Sequence, residues 1–259
     1  MSDSVLESLA RRDRAVTLAG LAALAALAWL YLVRLGREMA DMAAMSMADT
    51  DPWTVADAGL AAVMWAVMMV AMMLPAAAPM ILVFATVNRK RREAPGTAPS
   101  VNTTLFVLAY LAVWGAFSVA AALAQWALHA AALLAEDAMQ AAPLAGAVLL
   151  AAAGIYQLTP LKYACLARCQ TPVGFLLSEW REGNRGAFVM GLRHGLFCLG
   201  CCWVLMALLF VGGVMNLAWV AAIAAFVLIE KLVPAGRLVS WTSGAALLAW
   251  SAWSLYHSL

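Results

Sequence analysis

Residues 58–87 read AGLAAVMWAVMMVAMMLPAAAPMILVFATV and contain no charged side chain. A helix needs about 20 apolar residues to cross the hydrocarbon core of a bilayer, so this run is more than long enough to span it. Pro75 and Pro79 lie inside the run. They predict a kink or a break, because proline cannot donate a hydrogen bond within a helix.

The composition of the whole chain has the same character. Of the 259 residues, 66% are hydrophobic and 12% are charged, whereas a soluble domain carries about 25% charged residues. In lipid the backbone has to satisfy its own hydrogen bonds, and only helices and closed β-barrels do so. Barrel strands alternate polar and apolar residues, whereas these runs are apolar throughout. The sequence therefore predicts an all-α, polytopic transmembrane helix bundle in a lipid bilayer. A net charge of +2 does not favour a nucleic-acid partner.

About seven segments are candidates for membrane spans, and they form a single transmembrane domain over residues 1–259. These are residues 15–35, 58–87, 102–128, 143–160, 195–214, 217–233 and 238–257. With the N-terminus in the cytoplasm, every Lys and Arg except Arg34 and Arg37 falls on the inner side, as the positive-inside rule requires. This orientation predicts a Met-rich outer loop at residues 36–57 and a cytoplasmic loop at residues 161–194.

A row of histidine and cysteine opens the fifth predicted span. In HGLFCLGCCWVLM, His194, Cys198, Cys201 and Cys202 stand at i, i+4, i+7 and i+8, which is one face of a helix. Thiolate and imidazole ligands suit Cu(I), Zn(II) or an iron–sulfur centre. A bound cation would neutralise thiolates that are costly in apolar surroundings. Alternatively these cysteines only pack, since cysteine behaves as a small hydrophobic residue.

A second cysteine pair, Cys165 and Cys169, lies in the predicted cytoplasmic loop. A spacing of four residues puts both side chains on one face if that segment is helical. Both cysteine groups lie on the inner side of the membrane in this topology, so they can converge on a site with three or four ligands. The alternative is a pair of reduced cytoplasmic thiols that bind no metal.

Methionines form two neighbouring rows along the second predicted span. Met64, Met68 and Met72 lie four residues apart, and Met69 and Met73 form the adjacent row. Stacked thioethers are a soft ligand set that suits Cu(I). Methionine is also a helix former and a flexible packing residue, so packing is the alternative interpretation of the same rows.

The predicted outer loop is rich in methionine as well. Its methionines and the aspartates among them are Met39, Met42, Met45 and Met47 with Asp41, Asp49 and Asp51. Thioethers bind Cu(I) without losing a proton, which suits an outer compartment. An amphipathic helix at the membrane interface is the alternative. Methionines outside and cysteines inside indicate either a conduction path or one mixed site for a soft metal.

Glu230 and Lys231 end the sixth predicted span. An ionisable residue at membrane depth is a candidate for function. The simpler interpretation of Glu230 is that it forms an ion pair at the membrane interface.

Four stretches together resemble a bacterial family of predicted metal-binding integral membrane proteins of unknown function. They are MWAVMMVAMMLPAAAPM at 64–80, GIYQLTPLKYACLARCQTP at 154–172, RHGLFCLGCCWVLMALLFVGGVMN at 193–216 and IEKLVP at 229–234. The resemblance covers about residues 53–239 and implies a metal site in the bacterial inner membrane, but no established reaction. The ligands that it implies are the methionines of the second span and the five cysteines, Cys165, Cys169, Cys198, Cys201 and Cys202.

Three functions are consistent with these residues. The first is a metal-binding membrane protein for copper transport, storage or delivery, working with a metallochaperone or a membrane cuproenzyme; zinc, iron or haem are alternative cofactors. The second is a membrane thiol oxidoreductase that uses the CxxC of Cys198 and Cys201. The third is a non-catalytic subunit of a membrane complex, in which cysteine and methionine only pack. The hydrolase, P-loop and Rossmann motifs are absent, so an enzyme is the less favoured interpretation.

Overall fold

The computed structural model describes residues 3–44, 54–93, 103–131, 134–135 and 140–258. Within these ranges the chain is all-α, apart from one antiparallel pair of two-residue strands. The elements are α1 (Asp3–Ala44), α2 (Val55–Glu93), α3 (Thr103–Ala130), β1 (Leu134–Ala135), β2 (Gln140–Ala141), α4 (Pro143–Gln157), α5 (Pro160–Gln170), α6 (Pro172–Glu179), α7 (Gly183–Ala207), α8 (Leu209–Gly212), α9 (Leu217–Leu232) and α10 (Gly236–Ser258).

Each segment expected to be a span is helical, but fewer of these helices are clear membrane spans. Among the described residues, 4 helices are long and apolar enough to cross a membrane, or 5 if α4 and α5 count as one bent span. They are Arg14–Met39, Val55–Arg91, Thr103–Ala130 and Gly183–Gly212. α4 and α9 have 15 and 16 residues, fewer than the roughly 20 that a straight span requires. The count of seven spans therefore stays a prediction.

Helices extend into two segments that the sequence analysis treats as loops. α1 continues to Ala44, so the beginning of the Met-rich segment 36–57 is helical. The expected ligands in the rest of that segment lie outside the described residues: the side chains of Met42, Met45, Met47, Asp49 and Asp51. The segment 161–194 consists mostly of helix, because it holds α5, α6 and the first half of α7.

α2 is one continuous helix over 39 residues, with Pro75 and Pro79 in its interior. The helix is therefore not broken at these prolines, and the alternative of a kink stays a prediction. Packing of α2 against both α1 and α3 holds the helix together across the missing backbone hydrogen bonds, as neighbouring helices often do for proline in apolar surroundings.

A sharp bend separates α4 from α5. The two helices meet at 66°, and Pro160 occupies the first turn of α5, where the missing N–H of proline is tolerated. The residue before a proline avoids helical backbone angles, and Thr159 is accordingly extended and caps α5 by accepting a hydrogen bond from the Lys162 amide at 3.3 Å. The bend lays α5 against α7.

Glycine allows α7 to approach α3 very closely. A Cβ atom at Gly191 would overlap the carbonyl oxygen of Phe106, and one at Gly195 would lie 2.8 Å from Val113 Cγ2. Two glycines four residues apart form the small-residue face that lets helices pack tightly in apolar surroundings. Cys198 follows on the same face, so this packing also sets its distance from α3.

We expect Gly191→Ala to destabilise the fold by about 1–3 kcal/mol, because the added methyl group forces α3 and α7 apart. Gly115 of α3 is the matched control, since a Cβ there meets nothing within 4 Å. Gly115→Ala should leave stability unchanged or raise it by about 0.5–1 kcal/mol. Denaturant unfolding of both variants in detergent is the measurement, and equal effects of the two substitutions would contradict the close packing.

Candidate metal centre

Three cysteines of α7 face the interior of the bundle. Cys198, Cys201 and Cys202 are at most 1% exposed, and they are free thiols. The expectation that they share one helix face with His194 is confirmed, since all four side chains are buried. α7 begins at Gly183, so Cys198 lies about 22 Å along the helix, near its middle. The expected span 195–214 placed the same residue near one end of the helix.

α5 brings a fourth cysteine to these three. The Cys169 thiol contacts the thiols of Cys198 and Cys201, and the Cys202 thiol contacts the same two. Cys201 and Cys202 also donate to the carbonyl oxygen of Cys198 at 3.1 and 2.9 Å. The two cysteine groups of the sequence therefore converge. We call Cys169, Cys198, Cys201 and Cys202 the thiol cluster.

Cys165 lies at the edge of the thiol cluster. It is half-buried, one helical turn before Cys169. Its sulfur packs against Gly200 so closely that a Cβ at that glycine would lie 2.8 Å from it. Cys165 also interacts electrostatically with Cys201. The structure therefore places it beside the cluster, against Gly200 of α7.

Lys231 reaches the thiol cluster from α9. Its Nζ lies 2.8 Å from the sulfur of Cys198, and both residues are buried. The hydroxyl of Tyr110 lies 3.1 Å from the same sulfur and donates to the carbonyl oxygen of Met73 at 3.0 Å. A buried ammonium group is costly unless an anion lies beside it. The Cys198 sulfur is the group in contact with Lys231 that can carry the negative charge.

The neighbouring Glu230 is paired with a different lysine. Its Oε1 lies 2.7 Å from Lys162 Nζ, and both side chains are 1% exposed. Ser240 donates to the same carboxylate at 2.8 Å, and Gln157 accepts a further hydrogen bond from Lys162. The ion pair expected for Glu230 at the interface is thus a buried pair. It ties α9 to α5, the helix that carries Cys169.

Gln170 makes a second connection between the same two helices. Its side-chain amide donates to the carbonyl oxygens of Glu230 and Val233 at 2.8 and 3.0 Å. The last carbonyl groups of a helix have no partner within the helix, so Gln170 satisfies acceptors at the end of α9. Because Gln170 directly follows Cys169, this contact also restrains the position of the Cys169 thiol.

His194 lies among aromatic rings one turn before Cys198. The rings of Phe106 and Tyr110 stack on its imidazole, and Phe175 meets it edge-on. The side chain is only 3% exposed, and its Nδ1 has no hydrogen-bond partner. An unsatisfied nitrogen in such a position is unusual in a protein interior and needs an explanation.

A cavity of about 110 Å³ lies beside His194, and its lining combines soft donors with polar groups. We call it the His194 cavity. It is lined by Ala76, Pro79, Met80, Cys169, Gln170, Pro172, His194, Lys231 and Leu232.

The methionine rows of α2 are part of the hydrophobic core. Each of the five is buried: Met64, Met68, Met69, Met72 and Met73. α2 packs mainly against α1 and α3, so the alternative interpretation, that these side chains pack, accounts for their position. The carbonyl group of Met73 is linked to the thiol cluster through the hydroxyl of Tyr110. A ligand role for these thioethers stays a prediction.

The donors gathered here fit a soft metal in kind. Among the described residues, no group of three or more His, Cys, Asp or Glu side chains is arranged as a ready metal site. The thiol cluster nevertheless offers sulfur from two helices, and the imidazole Nδ1 of His194 is unpaired. Sulfur and imidazole donors suit Cu(I). A metal ion would have to draw the Cys198 sulfur away from Lys231.

Sequence reasoning missed the partners that surround the thiols. Tyr110 lies in an apolar helix and gave no signal, because its role depends on the approach of α3 to α7. Lys231 did give one, since a lysine in an otherwise apolar run is costly without a partner. The sequence could not show that the partner is a cysteine 33 positions away.

A double-mutant cycle tests the pairing of Cys198 with Lys231. In metal-free protein, Cys198→Ala should cost about 3 kcal/mol of unfolding free energy, because it leaves a buried ammonium group unpaired. Lys231→Met should remove most of that penalty, which gives a coupling of about 1–3 kcal/mol between the two sites.

The matched cycle combines Lys231→Met with Cys165→Ala, at the half-buried edge of the cluster. Those two effects should add to within about 0.5 kcal/mol. Unfolding in detergent under reducing, metal-free conditions is the measurement. Strict additivity of the Cys198 and Lys231 substitutions would contradict the pairing.

Comparison with known proteins assigns the chain to a family. No curated protein and no solved structure matches it. A family described as PpoB2, copper chaperone, matches residues 62–254. The matched region holds the thiol cluster, His194, Lys231 and most of the described helices. The expected resemblance to a metal-binding family is thereby confirmed, and the chain belongs to the PpoB2 copper chaperone family.

Proposed function

We propose that this protein is a multi-pass membrane copper chaperone that carries Cu(I) on its thiol cluster and delivers it to a membrane cuproenzyme. The observation that carries the proposal is the contact of the Cys169 thiol with the Cys198 and Cys201 thiols across two helices. Membership of a copper chaperone family supports the same cargo. His194 and Cys165 flank the cluster and are the next donors that the metal can reach.

The charge balance of the site suits Cu(I) held by two thiolates. Lys231 brings one positive charge into contact with the cluster, while Glu230 is already neutralised by Lys162. A Cu(I) ion held by two thiolates carries one negative charge, which Lys231 balances. Zn(II) held by two thiolates is neutral and would leave the lysine charge unbalanced in apolar surroundings, where unpaired charge is costly.

A buried site suits a carrier of a reactive metal. The sulfurs of Cys198, Cys201 and Cys202 are shielded from water, and thiolates bind Cu(I) strongly. Cys169 is less buried than these three, and it lines the His194 cavity. It is therefore the thiol through which copper can leave or reach the cluster.

The proposal places the chain in the bacterial inner membrane with seven spans and a cytoplasmic N-terminus. Many large apolar side chains are exposed on the helix surfaces, among them Leu27, Leu60, Leu144, Leu177 and Trp253. Such a surface is compatible with a lipid environment. The basic clusters of the chain then lie on the cytoplasmic side.

Fusion reporters at the C-terminus test this topology. Seven spans put Leu259 outside, on the opposite side from the N-terminus, whereas four spans would put both termini on one side. We therefore expect alkaline phosphatase fused after Leu259 to be active and a cytoplasm-dependent fluorescent reporter at the same point to be dark. A fluorescent C-terminal fusion with inactive phosphatase would contradict the proposed topology.

The metal content of the full-length protein tests the function. Protein purified in detergent from copper-supplemented cells should contain copper, and the double variant Cys198→Ser/Cys201→Ser should lose most of it, because two thiolates of the cluster are removed. Ser118→Ala is the matched control, since Ser118 is buried and lies about two helical turns beyond Tyr110. The measurement is metal analysis by mass spectrometry, with Zn and Fe quantified in the same samples.

The outcome also separates the alternatives. Wild-type protein without copper, or copper that persists in the double variant, would argue against the proposed site. A thiol–disulfide exchange activity that depends on Cys201 would favour the membrane oxidoreductase. Unchanged copper delivery in cells by the Cys198→Ser/Cys201→Ser variant would favour a non-catalytic subunit in which the cysteines only pack.

A further inference from the structure

We infer that the His194 cavity is a second Cu(I) position, with Met80, His194 and Cys169 as its ligands, from which copper passes to the thiol cluster. The inference rests on the proposed function and adds a site to it. Met80 is the residue that distinguishes this position, because it belongs to neither the cysteine groups nor the two methionine rows of α2 described above.

The unpaired imidazole nitrogen is the first observation behind the inference. The side chain of His194 is 3% exposed and lines the cavity. Its Nδ1 has no hydrogen-bond partner. Burying a polar atom without a partner costs about 1–3 kcal/mol. The imidazole ring of His194 therefore places a donor group beside the cavity.

The size of the cavity is the second observation. Its volume of about 110 Å³ exceeds the roughly 30 Å³ that one water molecule occupies in the liquid. The cavity therefore has room for a metal ion. The same volume also accepts water, so the test has to separate a metal from water.

The chemistry of the lining selects the ligand. Thioether, imidazole and thiol together form a soft set of one nitrogen and two sulfurs, which suits Cu(I) and disfavours Mg²⁺ or Ca²⁺. Lys231 also lines the cavity, and its charge repels a divalent cation more strongly than a monovalent one. The cavity thus combines ligands for Cu(I) with an electrostatic preference for a single charge.

Cys169 connects the cavity to the thiol cluster. Its side chain lines the cavity, and its thiol contacts Cys198 and Cys201. A Cu(I) ion on Met80, His194 and Cys169 can exchange the two neutral donors for the Cys198 thiolate while Cys169 stays bound, which gives the two-thiolate state whose negative charge Lys231 balances. No electron is transferred in this exchange, and copper remains Cu(I). The thiol cluster binds more tightly because thiolate is the stronger donor for Cu(I).

Titration of the full-length protein with Cu(I) against bicinchoninate, in detergent under reducing conditions, tests the inference. Wild-type protein should bind a tight and a weaker equivalent, with the Cys169 thiolate shared between the two ions. Met80→Leu should weaken the second equivalent at least tenfold and leave the first unchanged, because leucine keeps the volume but lacks the sulfur donor. His194→Phe should have the same effect and should remove the nitrogen neighbour from the copper X-ray absorption spectrum.

Met190→Leu is the matched control. Met190 is as buried as Met80, but it lies on α7 outside the cavity lining, so its titration should match that of the wild type. Because Met80→Leu conserves volume, we expect it to fold even if His194→Phe does not.

The outcomes separate this inference from the proposed function. Wild-type protein that binds no Cu(I) would refute the proposed function and the second site together. Wild-type protein that binds Cu(I) only once, or Met80→Leu and His194→Phe variants that titrate like the wild type, would show that the cavity holds water only. The copper chaperone function would then stand without the second site.

Discussion

The contact between Lys231 Nζ and the sulfur of Cys198, at 2.8 Å, is the constraint around which the centre of the molecule is arranged. A lysine charge in an apolar interior is tolerated only beside an anionic group. Glu230, its neighbour in the chain, is already engaged by Lys162. Cys198 therefore has to be held within reach of α9, and α7 has to be held at a fixed height relative to that helix.

Three features of the backbone keep these groups in place. The glycine face of α7 lets α3 come close enough for Tyr110 to contact the same sulfur. The bend before Pro160 lays α5 on α7 and carries Cys169 to the cluster. The buried pair of Lys162 with Glu230 joins α5 to α9. Each of these contacts joins different helices, so the thiol cluster exists only when the whole bundle is assembled.

This arrangement is consistent with the proposed copper function, although the described residues hold no ready-made metal cage. The fold gathers the thiols and places Lys231 beside the Cys198 sulfur before a metal binds. A negative charge on that sulfur is therefore already stabilised in the apolar interior. A bound metal ion would take the place of Lys231 as the cationic neighbour of the Cys198 sulfur. The His194 cavity lies directly beside this point and shares Cys169 with it, so the proposed second copper position adjoins the thiol cluster.

The sequence by itself determined the helical class, the location of the apolar segments and the face shared by His194, Cys198, Cys201 and Cys202, because these depend on composition and on periodicity along one helix. It also indicated that the two cysteine groups could meet. It did not determine that α2 continues through Pro75 and Pro79, since neighbouring helices support that stretch. The partners of the thiols were decided only by the tertiary structure. Lys231 and Tyr110 come from two other helices, and no spacing within one helix can report a contact that arises from packing between helices.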